Sequence, residues 1–546
     1  MPALQLFKRT GKWLTDQIIA RQLDSPLGYI LMIALSICVA YLVSILGKTS
    51  LVLPILFIAM PAAAACLFYM DIGIAVSICT AFIIGLASKL ADGVPFGIAL
   101  DGLLFLMFFG LLIRQIVERD FKFARNSVSL YIFLWVCYNL LSVFNPWAGS
   151  QMAWIFTVRS MAGLTLMFYV AAYAFKDKET IFRMLKLIIC LSFISGLYGM
   201  KQEFFGFTDW EMRWLSADEE RMQLIYQWSR IRVFSFFSDP TNFGILMCYM
   251  STFCLVLMTG PFKIWKKIFL GVAAICMIMA MAYAGSRTPF VLMPFGLMIF
   301  VLIKMDKRVL MATGVVSMLA FVVIMKGYNN AVLFRIQSAF ILSKSADTLD
   351  VRLKNQKMIQ PYIQSHPVGG GLGSTGVWGK RFTPHSLLSS FAHDSGFVRI
   401  AVELGWIALI LYCLLLFTVL KTSIYYYFRV RNPKIKVIYL GLTVIFFQLT
   451  LANYPQEAIV ILPTSVNFYV FLAILVRLKD YDDPIPIKEK KSFGNYAKKH
   501  ISVEGIPVDK KMKEADLSNT QGGKSSKAKP FGIELERKKS GIWKRR

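Results

Sequence analysis

Stretches of about twenty apolar residues, the length of a membrane span, alternate with short polar connections along most of the chain. They lie at 27–46, 51–70, 72–90, 96–117, 127–145, 152–175, 181–204, 241–259, 264–284, 289–304, 309–327, 396–420, 435–453 and 457–476. A helix rises 1.5 Å per residue, so twenty residues match a hydrocarbon core roughly 30 Å thick. In that medium a backbone must satisfy its own hydrogen bonds, which makes each run a helix. The pattern predicts an all-α fold, a polytopic transmembrane bundle of about 14 helices with a large extracytoplasmic loop domain. No repeat of the solenoid kind is present.

The connections alternate in charge. With the N-terminus in the cytoplasm, every even-numbered connection is cytoplasmic. These carry Arg119/Lys122/Arg125, Lys176/Lys178, Lys263/Lys266/Lys267, Lys304/Lys307/Arg308 and Arg429/Arg431/Lys434/Lys436. The turn near Asp71 is silent. The odd-numbered connections are mostly short and less basic, as the positive-inside rule requires. Three parts follow: a basic amphipathic cytoplasmic N-terminus at 1–26, a transmembrane domain at 27–476, and a basic, disordered cytoplasmic tail at 477–546. Two odd-numbered connections are long and therefore extracytoplasmic. The one at 205–240 holds Trp210, Trp214 and Trp228 among mixed charges, as a helix in the membrane interface would. The other, 328–395, looks helical over 331–364 and irregular over 366–390.

Composition sharpens this picture. The chain is 56% hydrophobic, above the range of soluble domains. Its net charge of +28 sits in short loops and the tail, which suits anionic head groups rather than nucleic acid. The cysteines all fall inside apolar runs without metal-ligand spacing, so they read as small packing residues. No metal site or cofactor is expected. The polar start, followed by a run of full spanning length, does not read as a cleavable signal.

Polar residues in unusual places are the candidates for chemistry. Arg287 stands in Ser286-Arg287-Thr288-Pro289, on a very short outer turn. It could snorkel beside a helix that Thr288 caps and Pro289 begins. Alternatively it could clamp an anion, since guanidinium grips phosphate bidentately. Arg232 precedes Asp239-Pro240-Thr241-Asn242, which resembles a helix start on the same face. Arg159 is mid-run in the sixth span, where a charge costs about 2.5–3.5 kcal/mol and needs a partner. Asp101 in the fourth span is the obvious one, and a purely structural pair is as good a reading as a direct role. His366, His385 and His393 lie in the large loop. His393, in His393-Asp394-Ser395-Gly396, is either a solvated residue beside a capped helix start or a general base titrating near neutrality. Gly371-Leu372-Gly373-Ser374-Thr375-Gly376 formally matches a dinucleotide pattern but follows no strand and opens no expected helix.

Taken in order, these elements resemble the O-antigen ligase and O-antigen/exopolysaccharide polymerase family. The resemblance rests on Arg232 with Asp239-Pro240-Thr241-Asn242, on Ser286-Arg287, on His366-Pro367 with Gly371-Leu372-Gly373, on His393-Asp394, and on Glu403-Leu404-Gly405. It covers about 230–410, and the other helices match by topology alone. Asp394 stands where the family has Asn, so His385 is the second candidate for the histidine. The resemblance implies a metal-independent inverting glycosyltransferase of the bacterial inner membrane with its active site on the periplasmic side. Its donor would be an undecaprenyl-diphosphate-linked glycan, and its acceptor a saccharide on lipid A–core or on a growing polymer. Catalysis would then fall to His393 and Arg287, and substrate binding to Arg232, Arg159, His385 and Glu403. Ligase and polymerase use the same donor chemistry and stay open. The competing reading is a lipid-linked glycan flippase or another transporter, which would not need a long outer loop with histidines.

Overall fold

The computed structural model describes residues 66–67, 69–90, 96–227, 230–307, 346–391 and 395–483, with isolated positions besides. The expected N-terminal segment, the span at 27–46, nearly all of those at 51–70 and 309–327, and the tail after 483 lie outside the described residues. Ten helices among the described residues are long and apolar enough to cross a membrane. The described residues form a helical membrane bundle, as the hydropathy pattern requires.

In chain order the first helices are α1 (Met70–Leu90), α2 (Phe96–Glu118), α3 (Ser127–Leu141), α4 (Gln151–Met161), α5 (Leu166–Ala174) and α6 (Lys178–Phe204). After two short helices, α7 (Asp209–Ser216) and α8 (Glu219–Ile225), comes a minimal hairpin of β1 (Tyr226–Gln227) and β2 (Arg230–Ile231). Three spans follow, α9 (Pro240–Met258), α10 (Ile264–Ala284) and α11 (Arg287–Lys304). Beyond 345 lie α12 (Ala346–Ser365), α13 (Gly376–Phe382), α14 (Gly396–Glu403), α15 (Gly405–Arg429), α16 (Pro433–Ala452) and α17 (Thr464–Arg477).

Helix α9 is the central column. It carries no charged residue and packs against α6, α10, α11 and α16. Lipid tails are as apolar as Leu, so span-to-span attraction comes from close packing and buried hydrogen bonds. Small residues supply the first. A Cβ at Gly244 would lie 2.9 Å from Pro289, and one at Gly441 of α16 would lie 2.5 Å from the Phe253 ring. Gln448 supplies the second, its Nε2 donating to Thr252 Oγ1 and to the Leu292 carbonyl, both at 3.2 Å.

The two ends of the bundle differ. At one, Phe175 O accepts from Tyr481 Oη at 2.7 Å, and Asp482 accepts from the Arg431 and Asn432 backbones. The basic connections all belong to this end, and the chain remains helical there through Leu478–Tyr481, past the expected start of the tail. Among the described residues the opposite end collects 142–150, 205–227, 230–239, 285–286, 366–391 and 453–463. The alternation read from charge is therefore the alternation of the helix ends.

Three expected spans are broken or shortened. The run 152–175 is interrupted by a 3-10 turn, Gly163–Thr165, just after Arg159. The run 457–476 becomes helical only at Thr464. The run 396–420 divides at Leu404, where Arg399 and Glu403 give its first eight residues a buried ion pair inside the protein rather than a lipid-facing surface. Membrane crossing starts at Gly405. The loop before it is more ordered than its glycines suggest, with α13 and a 3-10 turn at Leu387–Ser390. The 205–240 connection likewise folds into α7, α8 and the hairpin around Trp214 and Phe234, rather than into one interfacial helix.

Gly405 is where this end is pinned. It has φ +83°, and a Cβ there would lie 1.9 Å from the Pro367 carbonyl oxygen. We predict that Gly405→Ala, which combines left-handed strain of about 1–2 kcal/mol with overpacking of about 1–3 kcal/mol, lowers the melting temperature in detergent by several degrees. An unchanged melting curve would show that the Pro367 turn does not dock on this hinge.

Candidate active site

Arg232 follows β2 directly. Its backbone N–H donates to Ile225 O at 3.1 Å, and the next residue, Val233, donates to Tyr283 O at 3.3 Å. The Arg232 guanidinium then reaches the end of α10, Nε donating to Ala284 O at 3.0 Å and Nη2 to Thr241 Oγ1 at 3.3 Å. Ala284 is the last residue before a two-residue turn, where Gly285 adopts φ +58° and Ser286 leads into α11. Arg287 is the first residue of that helix, half-buried. The helix starts two residues earlier than the Thr288–Pro289 signal implied, with Ser286 rather than Thr288 at its cap position. Two arginines read from separate parts of the sequence thus stand at one corner. Burial pushes the Arg232 pKa down, opposed by the Asp239 carboxylate; a guanidinium starts high enough to keep its charge.

Asp239 caps α9 as the sequence suggested, Oδ1 accepting from Thr241 N and Oδ2 from Asn242 N, both at 3.1 Å. With Ser238 and Asn242 it also borders a cavity of about 340 Å³. The Asp101–Arg159 pair lines the same cavity, closed at 2.5 Å between Nη1 and Oδ2. The expected partner of Arg159 is thus the observed one, and it joins the pair to the space beside Asp239. Val460, Ile461 and Leu462, from the connection between α16 and α17, form another wall.

The strand of chain from Arg232 to Asp239 is held from below by residues that sequence reasoning missed. Lys89, at the end of α1, is only 5% exposed. Its ammonium donates to Ser235 O at 3.1 Å and lies over the Phe234 ring at 4.1 Å. Gln202 Oε1 accepts from Ser235 N at 2.7 Å, and its Nε2 donates to the fully buried Glu211 at 2.6 Å. Glu211 closes a capping box with Thr208. A lysine at the outer end of an otherwise apolar run was the available signal.

The glycine-rich stretch forms the other side of this end. Gly370 N donates to Val402 O and Gly371 N to Glu403 O, both at 2.9 Å. Asn145 Nδ2 donates to the Val368 and Gly369 carbonyls at 3.0 Å. At Gly373, with φ +81°, a Cβ would sit 2.4 Å from Thr157 Oγ1, so the loop lies directly on α4 two residues from Arg159. The dinucleotide-like pattern does open a helix, α13, but no strand precedes it.

Glu403 is wholly buried in this layer. It accepts from the Thr375 hydroxyl and from Arg399 Nε at 3.3 Å, and Arg399 Nη1 donates to Glu457 at 2.6 Å. Burial alone would weaken the charged guanidinium, but Glu403 and Glu457 more than offset it and hold the Arg399 pKa above its ordinary value. Glu403 is not among the residues lining the cavity.

The histidines separate. His366 stacks on Tyr362 at 4.0 Å, meets the Trp147 edge at 5.1 Å, and shares its Nδ1 with Tyr362 O at 3.0 Å. His385 is exposed beyond α13. His393 lies outside the described residues. Its flanks do not: Phe391 is buried, Ser395 caps α14 by accepting from Val398 N at 3.4 Å, and Gly396 N donates to Asn453 O at 3.0 Å. Asn453 begins the connection whose far part walls the cavity. Among the described residues no cluster of His, Cys, Asp and Glu could hold a metal ion.

The family model for O-antigen ligase (Wzy_C) matches residues 272–413. That stretch contains Ser286-Arg287, the glycine-rich turn, His393 and Glu403, whereas Arg232, Asp101 and Arg159 precede it. The resemblance to the O-antigen ligase family is shown over those residues, and with it a glycan-joining function of the O-antigen ligase or polymerase type in polysaccharide synthesis. No curated protein matches the chain.

Removing one member of a buried ion network leaves the rest uncompensated, at about 3–5 kcal/mol. Arg399→Met should therefore abolish a cooperative melting transition in detergent or lower it sharply, and adding Glu403→Gln should recover part of the loss. If Arg399→Met melts like the parent protein, the network does not hold this layer together.

Proposed function

We propose that the chain transfers a glycan from undecaprenyl diphosphate to an acceptor saccharide at the extracytoplasmic face of the inner membrane. The observation that carries the reading is the bond from Arg232 to the carbonyl of Ala284, one turn before Arg287. Two guanidinium groups at a helix start, at the end of the bundle opposite the short basic connections, suit a diphosphate whose lipid tail remains in the bilayer. The positive-inside rule makes that end extracytoplasmic. The nearby cavity, with Asp101–Arg159 on one side and Asp239 and Asn242 on another, offers polar contacts to sugar hydroxyls.

In this reading the acceptor hydroxyl attacks the anomeric carbon from the face opposite the diphosphate, which inverts the configuration. The new glycosidic bond forms as the carbon–phosphate oxygen bond breaks. Arg232 and Arg287 stabilise the charge that develops on the departing diphosphate. His393 takes the hydroxyl proton. Arg159 and Asp101 orient the sugar. Glu403 supports the glycine-rich layer through Thr375 and Arg399, and His385 stands on the loop over which an acceptor would enter.

Reconstitution in liposomes with a lipid-linked oligosaccharide tests the proposal. The expected result is turnover to a longer or transferred glycan without movement of the donor across the bilayer. Arg232→Ala and Arg287→Ala should each abolish it while folded protein persists, and Arg→Lys should rescue little, because the bidentate fork is lost. Near-normal turnover in both lysine variants would remove the diphosphate role, and translocation without transfer would favour a flippase.

Loss of a general base lowers rates by about 10²–10⁴-fold. His393→Ala should show that loss with donor binding nearly unchanged, and its rate should no longer fall at acidic pH. Should His385→Ala lose activity while His393→Ala keeps it, the base is His385.

A further inference from the structure

At the basic end, remote from the cavity described above, the bundle opens a second and larger space of about 1130 Å³. Its walls are the first turns of α6, the start of α10 and the start of α16. Lys178 and Lys186 come from α6, Lys266 from α10 and Lys434 from α16. Arg183 borders the space as well but is shared with Asp71, 3.9 Å away. Glu179 is the one carboxylate in the lining. Apart from Asn432 the rest is apolar, and deep in the groove Ile189 and Leu270 are buried.

Three facts narrow the occupant. First, α6, α10 and α16 all begin here, so three helix N-termini bring partial positive charge to the same place as the lysines. Second, Lys186 stands eight residues into α6, about 12 Å along the helix from Lys178. A cation so far down a membrane-spanning wall reaches an anion only if that anion is seated in the groove mouth, beside lipid. Third, Trp265 is 79% exposed, at the rim of the groove, the preferred depth of an indole at the head-group level. A soluble anion would leave the apolar walls uncovered. The chain's own tail, with Lys488, Lys490, Lys491 and a closing Lys544-Arg545-Arg546, repeats the sign of the groove, and so does the same end of a second copy.

We propose that this groove binds an anionic phospholipid, with its phosphate at Lys186, Lys266 and Lys434 and its acyl chains along the apolar walls of α6 and α10. The proposal is independent of the glycan-transfer reading, because no residue of that site takes part. Its ligand is a bilayer constituent, reached laterally, and the attraction adds to the positive-inside anchoring of the same loops.

Native mass spectrometry of the full-length protein in detergent is the test, titrated with phosphatidylglycerol or with phosphatidylcholine of the same acyl chains. Phosphatidylglycerol is expected to bind at least tenfold more tightly, and millimolar inorganic phosphate is expected not to displace it. Each lysine near an anionic surface is worth about fivefold in affinity. The combination Lys186→Gln, Lys266→Gln and Lys434→Gln should therefore weaken phosphatidylglycerol binding by on the order of 100-fold while leaving phosphatidylcholine binding unchanged. Replacing the same three lysines by arginine should keep the preference, which separates lost charge from lost folding. Equal binding of the two lipids by the parent protein, an undiminished preference in the glutamine variant, or displacement by phosphate alone would each overturn the proposal.

Discussion

A charge buried within this bundle is cut off from water and must be met by a group of the protein itself. The ion network of Arg399 with Glu403 and Glu457 is the clearest case, and much of the non-basic end depends on it. Glu403 fixes Thr375, and its backbone carbonyl receives Gly371, so the glycine-rich turn is secured on both its sides. Glu457 ties the same arginine to the connection between α16 and α17. One guanidinium thus holds together three segments far apart in sequence. The arrangement also explains why a hydrophobic run stops being a span. With two charges one helical turn apart on its buried face, α14 is stable only inside the protein, and the crossing begins at Gly405.

The arginine corner follows the same rule by different means. Arg232 donates to a backbone carbonyl and a hydroxyl, and the nearby Asp239 carboxylate favours its charged form. Arg159 is met by Asp101 and is correspondingly better suited to shaping the cavity than to gripping an anion. The support beneath, from Lys89, Gln202 and Glu211, is a fully partnered polar network, of the sort that fixes a single backbone course because any slip would strand a buried charge. The course it fixes is the one that carries the chain from Arg232 to Asp239 at the head of α9. The central, charge-free helix is thereby oriented with its N-terminus beside the cavity.

The two spaces described above are chemically distinct. The smaller one combines a closed ion pair with helix-capping and hydroxyl groups, a mixture suited to neutral polar ligands. The larger one gathers cations and apolar surface at the opposite end, with almost no acceptors. Their separation means that a lipid at the basic end can stabilise α6, α10 and α16 without competing for the residues around Arg232.

The sequence by itself determined the fold class, most helix boundaries and the two-ended character of the bundle. These follow from hydropathy over about twenty residues and from charge in short loops, both local quantities. It also determined the Asp101–Arg159 pair, because two opposite charges in apolar runs have few other ways to be accommodated. Only the tertiary structure decided that Arg232 meets the turn before Arg287, that Lys89 is a buried support, and that Glu403 faces inward to Arg399 and Thr375. Apart from the i,i+4 pair Arg399–Glu403, these depend on contacts between residues tens to hundreds of positions apart, which no periodicity records. The break at Leu404 belongs to the same group: hydropathy counts Arg399 and Glu403 as two tolerable exceptions in an apolar run, whereas in three dimensions their partners turn them into the reason the run divides.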